Sequence, residues 1–168
     1  MKRWCLIEEF ATFEKVRFYT IRFEDETVSE TDKFFAAFDD NADMRKELNV
    51  LLSFLKQMGD NFGAKADFFR HEGEAEGLPP KAKIAKKYGL LAFVEYNFRL
   101  YCMRLSDNVV VLFNGSLKTT YTNQEDPQLM SIFRMAKTFS RRINENMSDR
   151  TFNVIGKELI ADALEFQY

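Results

Sequence analysis

Two arginines stand inside a stretch that otherwise reads as a β-strand, Phe98-Arg99-Leu100-Tyr101-Cys102-Met103-Arg104. A cation in the middle of a sheet is costly to bury unless it reaches water, a carboxylate or a bound anion. The following run, Val109 to Phe113, is apolar throughout, as a central strand covered on both faces would be. Ser106-Asp107-Asn108 between them has the chemistry of a tight turn. This hairpin is where charge and rigidity coincide, and the chemistry it suggests is the binding of an anion. Strand parity puts Arg99 and Tyr101 on one face and Arg104 on the other, so all three line one site only if a bulge intervenes.

Charge along the chain points the same way. Residues 65–142 carry 13 Lys and Arg against 8 Asp and Glu, whereas residues 1–64 carry 9 against 13 and residues 143–168 carry 2 against 5. The asymmetry is either chance spread over solvated faces or a basic surface centred on the hairpin, suited to phosphates or to an acidic partner. Other chemistries find no support. His71 is the single histidine and has no Ser or Cys partner at a suggestive spacing, and no P-loop, dinucleotide fingerprint or metal-ligand spacing is present. No metal or cofactor is therefore expected. Cys5 and Cys102 form no disulfide framework. The N-terminus lacks a signal-peptide apolar core, and no apolar run approaches the roughly 20 residues of a membrane span. The expectation is a soluble cytoplasmic protein with no membrane partner.

The elements that hold the hairpin read as follows. Trp4–Phe10 and Val16–Phe23 form an N-terminal β-hairpin. Ser29 caps a helix carrying Phe34, Phe35 and Phe38, and a second helix runs from about Ala42 to Met58, with Gly59 as its C-cap. Phe68 and Phe69 read as a short buried strand ending at Arg70, and Glu72–Pro80 as a loop. Lys81–Lys87 is a basic segment, a short exposed helix or a mobile loop, and Leu90–Tyr96 is another strand. Asp126-Pro127 starts a helix with Leu129, Ile132, Phe133, Ala136 and Phe139 on its buried face. The acidic, apolar tail Phe152–Tyr168 is expected to dock on the sheet or on the two helices.

Two helices, an antiparallel meander and a basic helix, with Gly115-Ser116-Leu117-Lys118-Thr119-Thr120 after the last strand and Pro127 at the helix start, resemble the RelE/ParE superfamily of bacterial toxins, HigB-like branch. Arg99 falls where that family carries an arginine on the preceding strand. The resemblance covers roughly residues 60–145. Ser116 stands in place of the usual aromatic and Thr119 in place of a second lysine. It implies an α+β, RelE-like fold: a twisted, mainly antiparallel sheet with two N-terminal helices packed on one face and a C-terminal helix at the edge. Residues 1–146 would form that domain and 147–168 a C-terminal extension.

For function, the resemblance implies the toxin of a type II toxin–antitoxin system, a metal-independent, ribosome-associated mRNA endonuclease neutralised by a cognate antitoxin. Attack of a ribose 2′-hydroxyl on the neighbouring phosphate gathers negative charge on phosphorus, and one fixed donor there is worth roughly 3–4 kcal/mol. Arg99, Arg104 and Lys118 are the candidate cations, and Tyr101 the stacking or proton-transfer group. Each has an ordinary structural alternative: Arg99 as ion-pair partner of Glu95 or of a helical carboxylate, Arg104 as a solvated charge, Lys118 as a surface lysine and Tyr101 as core. The alternative function is a non-catalytic binding protein on the same scaffold, as in ParE-like inhibitors of topoisomerase.

Overall fold

The N-terminal hairpin joins β1 (Trp4–Thr12) to β2 (Arg17–Phe23), and two helices follow, α1 (Glu30–Ala36) and α2 (Ala42–Gln57), in a computed structural model that describes residues 2–90, 98–117 and 127–168. Both helices begin at side-chain caps. The Ser29 hydroxyl accepts from the Asp32 N–H at 3.1 Å, and Asn41 accepts from the N–H groups of Asp43 and Met44. Gly59 does not end α2. The chain continues through a π-helical turn (Met58–Phe62) to Gly63. A Cβ on Gly59 would lie 2.4 Å from the Phe13 ring, so this glycine admits an aromatic side chain and does not cap the helix.

Where the sequence reads as loop, the structure has a small hairpin, β3 (Arg70–Glu72) and β4 (Ala75–Leu78). Strands of three and four residues, interrupted by Gly73 and Gly77 and followed by Pro79-Pro80, show no alternation long enough to recognise. Phe68 closes a short 3₁₀ turn, and the strand begins only at Arg70. The basic segment is a helix, α3 (Ala82–Lys87). Of the strand expected at Leu90–Tyr96, all but Leu90 lies outside the described residues. Then come β5 (Phe98–Arg104), β6 (Val109–Leu117), α4 (Pro127–Ser148), β7 (Asn153–Ile155), β8 (Glu158–Ile160) and β9 (Glu165–Gln167).

Among the described residues, seven strands form one sheet in the order β3-β4-β5-β6-β2-β1-β9, and β7 pairs with β8 apart from it. The fold is α+β, and the sheet is mostly antiparallel; β2 and β6 run parallel at its centre. β6 is apolar at every position from Val109 to Phe113 because both of its faces are covered. Val110 and Leu112 join Phe18, Phe34, Leu51, Phe54 and Phe98 under α1 and α2. Val109, Val111 and Phe113 join Ile21, Phe23, Phe139 and Ile143 under α4. The C-terminal helix therefore lies across the opposite face of the sheet and not at its edge. Ala136, Phe139 and Ile143 give it one buried stripe at helical spacing, and only a sheet face offers enough apolar surface to cover it.

The tail is built into the same sheet. β9 pairs antiparallel with β1, and Phe152, Leu159 and Phe166 are buried in the layer that α4 covers. Leu159 N–H also donates to the Tyr19 hydroxyl at 2.9 Å. No helix among the described residues is long and apolar enough to cross a membrane. Burying each of those three side chains is worth about 1.5–3 kcal/mol, and together they match much of a domain's net stability. Removal of residues 151–168 is expected to lower the melting temperature sharply and to cause aggregation from the uncovered β1 edge; thermal unfolding and sedimentation of the truncated chain check this.

Candidate anion-binding site

Alternation along β5 decides which side chains meet. Phe98, Leu100 and Cys102 face the α1–α2 layer, so Arg99, Tyr101 and Met103 face α4. A bulge is present, but it lies on β6. Leu100 pairs with Gly115 and Cys102 with Leu112, leaving Phe113 and Asn114 opposite Tyr101. The bulge resets β6 so that Phe113 and Ser116 both face α4, while β5 keeps its parity. Arg104 consequently stays on the other face. Its Nε donates to the Ala64 carbonyl at 2.6 Å, and its guanidinium pairs with Asp107 of the turn. Arg104 holds the end of the hairpin and is not part of a site with Arg99. Lys118 follows the last described residue of β6 and lies outside the described residues.

What gathers around Arg99 comes from the hairpin that the sequence did not reveal. Arg99 pairs across the ladder with Ser116 on β6, Tyr101 with Gly77 on β4, and Gly77 in turn with Arg70 on β3. Arg70, Glu72, Arg99, Tyr101 and Ser116 thus share the α4 face. Gly77 sits under them for steric reasons: a Cβ there would lie 3.1 Å from Glu72 Cγ and 3.6 Å from Arg99 Cδ. Its missing side chain lets Arg99 and Glu72 cross above β4. Glu74, in the β3–β4 turn, is clamped to α4 by Arg141 through two bonds of 2.8 and 2.9 Å, which fixes β3 against the helix. Phe133 of α4 packs on Tyr101 with ring centroids 5.4 Å apart, and Lys137 Nζ lies 4.8 Å from the centre of the Phe133 ring.

The electrostatics are lopsided. Arg99 is only 5% exposed, and Glu72 Oε1 lies 3.4 Å from its Nε. The contact is an ion pair without hydrogen-bond geometry, and Nε has no hydrogen-bond acceptor among the described residues. Nη1 donates to the Phe98 carbonyl at 2.9 Å. Arg70 donates through Nε to the Pro79 carbonyl at 2.8 Å and through Nη2 to the Pro80 carbonyl at 3.3 Å. Burial depresses the pKa of Arg99, against the pull of Glu72, and burial followed by the Arg99 charge depresses that of Arg70. Arginine does not lose its proton at accessible pH, so both guanidiniums stay charged, and among the described residues Glu72 is the carboxylate that acts on both. Burial also lifts the Tyr101 phenol above its ordinary range, with Glu72 adding to the effect and Ser116 opposing it. Tyr101 is therefore a proton donor at neutral pH and not a base.

The sequence signal for this site was present but short. Arg70 and Glu72 stand two residues apart, the spacing that puts both on one face of a strand, yet three residues are too few to establish a period. No group of His, Cys, Asp and Glu among the described residues has the geometry of a metal site. No family model, curated protein or solved structure matches this chain.

An unmet positive charge should take up an anion. Glu72→Gln removes the carboxylate beside Arg99 and is expected to lower stability, because it leaves a buried guanidinium without its ion-pair partner. Inorganic phosphate should restore much of that loss by binding the folded state. Thermal unfolding in chloride and in phosphate buffer at equal ionic strength reads both effects; a Glu72→Gln protein indifferent to phosphate would contradict an anion site.

Proposed function

We propose that the protein binds RNA through the Arg99–Arg70 cluster and cleaves it without a metal ion, as the toxin of a toxin–antitoxin pair on a RelE/HigB-like scaffold. The observation that carries this reading is the pair of guanidiniums sharing one carboxylate on the face that Tyr101 and Ser116 also line. In the reaction the ribose 2′ oxygen bonds to phosphorus, and the bond from phosphorus to the 5′ oxygen breaks. The 2′ proton passes to a base, and the departing oxygen takes one up. Arg99 and Arg70 stabilise the charge that builds on the non-bridging oxygens. Tyr101, kept protonated by burial, supplies the proton to the departing oxygen. Glu72, beside Arg99, accepts the 2′ proton. Lys118, carried by the sequence resemblance, is the further cation. A cognate antitoxin would mask this basic face with an acidic segment that orders on binding.

One observation favours a second reading. A guanidinium that is 5% exposed meets a substrate only after the groups around it move. A guanidinium buried so deeply also suits a non-catalytic binding module on the same scaffold, with protein as its target. Fold does not separate the two.

Cleavage does. Purified protein and Arg99→Ala, Arg70→Ala and Lys118→Ala variants are incubated with single-stranded RNA, with melting curves recorded on the same samples. Loss of one charge-stabilising donor, about 3 kcal/mol, should slow cleavage roughly 100-fold or more. Arg99→Lys should rescue only in part, because an ammonium lacks the planar two-pronged contact. A folded Arg99→Ala protein cutting at the wild-type rate would remove Arg99 from the mechanism. A wild-type protein that neither cuts RNA nor arrests growth when induced would leave the binding-module reading.

A further inference from the structure

We infer that α3 is a docking track for the phosphate backbone of single-stranded RNA, leading it toward the Arg99–Arg70 cluster; the inference rests on the RNA reading above. The chain as a whole is slightly acidic, with a formal charge of −2, so its overall field does not attract a polyanion. Yet no acidic residue occurs between Glu76 and Glu95, and that interval holds Lys81, Lys83, Lys86 and Lys87, all exposed. Lys87 is partly compensated, 3.8 Å from Asp67 and 5.5 Å from the centre of the Tyr88 ring. Lys81, Lys83 and Lys86 have no ion pair among the described residues.

The track is joined to the cluster by covalent and hydrogen-bonded geometry. Arg70, whose guanidinium answers electrostatically to Arg99, donates to the carbonyls of Pro79 and Pro80, the two residues directly before Lys81. The same contacts fix where α3 starts. On its inner side, Ala85 is buried, and Ile84 and Tyr88 pack into the α1–α2 layer, so the apolar side chains of the segment are spent on the core. The outer side offers cations without an apolar centre. A protein partner needs a dehydrated apolar or aromatic anchor at the middle of its interface, whereas a nucleic-acid backbone needs only a row of charges. This composition favours the nucleic acid over an acidic protein.

The test is fluorescence anisotropy with a labelled single-stranded RNA of about 20 nucleotides, comparing the full-length wild-type chain with Lys81→Gln/Lys83→Gln/Lys86→Gln over a range of salt. Three lost phosphate contacts should lower the slope of log affinity against log salt by about 2 and weaken binding roughly tenfold or more, equally for different sequences. Thermal unfolding confirms that the variant is folded. An unchanged slope and affinity would overturn the α3 assignment alone and leave the Arg99 reading in place. Lysines needed for an acidic peptide and not for RNA would likewise overturn the α3 assignment alone, whereas a wild-type protein that binds no RNA would overturn both. A single variant, Lys86→Gln, should show about a third of the slope change and guards against a triple variant that fails to fold.

Discussion

A guanidinium held inside a sheet requires negative charge nearby, and among the described residues Glu72 is the carboxylate that acts on two of them. Arg99 and Arg70 lie on adjacent parts of one face, with Glu72 beside them; burial depresses the basicity of both, and the charge of Arg99 depresses that of Arg70 further. Most of the local architecture follows from keeping that arrangement in place. Gly77 leaves room for the crossing side chains. The clamp between Glu74 and Arg141 presses β3 onto α4, and the Pro79 and Pro80 carbonyls absorb part of the charge of Arg70. A sheet selected only for stability would place apolar residues at these positions, because a well-packed apolar substitute for a buried ion pair is commonly neutral or stabilising.

The rest of the molecule acts as a rigid frame. Two apolar layers cover the central strands, and buried hydrogen bonds tie them together. Thr31 of α1 donates to the Phe113 carbonyl at 3.0 Å, at the bulge where regular pairing is interrupted, and shares a 2.6 Å bond with Thr20 of β2. That contact satisfies a buried backbone acceptor and fixes the bulge, which in turn sets the face on which Ser116 appears. On the other side, α4 brings Phe133 onto Tyr101. The site is thus bounded by a strand whose parity is fixed, a bulge that is pinned and a helix that is clamped.

Local chemistry made part of this legible in advance. Ser29 announces a helix start with a short polar side chain, and β1, β2, β5 and β6 are long enough to display their patterns. Arg99 and Tyr101 could be assigned to one face, and Arg104 to the other, from alternation alone. What stayed hidden was non-local or very short. The parallel pairing of β2 with β6 and the seat of α4 on the sheet face depend on contacts between segments far apart in sequence. β3 and β4 carry two glycines within and beside seven strand residues, so Glu72 looked like a loop residue and Arg70 like the end of a strand at Phe68 and Phe69. The partner of Arg99 accordingly proved to be Glu72 of β3, whereas the expected Glu95 lies outside the described residues.

The central claim is that the charge of Arg99 is retained for what it binds, against the stability of the fold. Arg99→Met keeps the unbranched stem and the volume, removes the charge, and leaves Glu72, 27% exposed, with Arg70 as its partner. The most direct measurement is the unfolding free energy of Arg99→Met by denaturant titration in phosphate-free buffer. This account predicts a protein as stable as the wild type or more so. A loss of about 3–5 kcal/mol, the cost of breaking a stabilising buried pair, would show that Arg99 is a structural ion-pair partner and would contradict it.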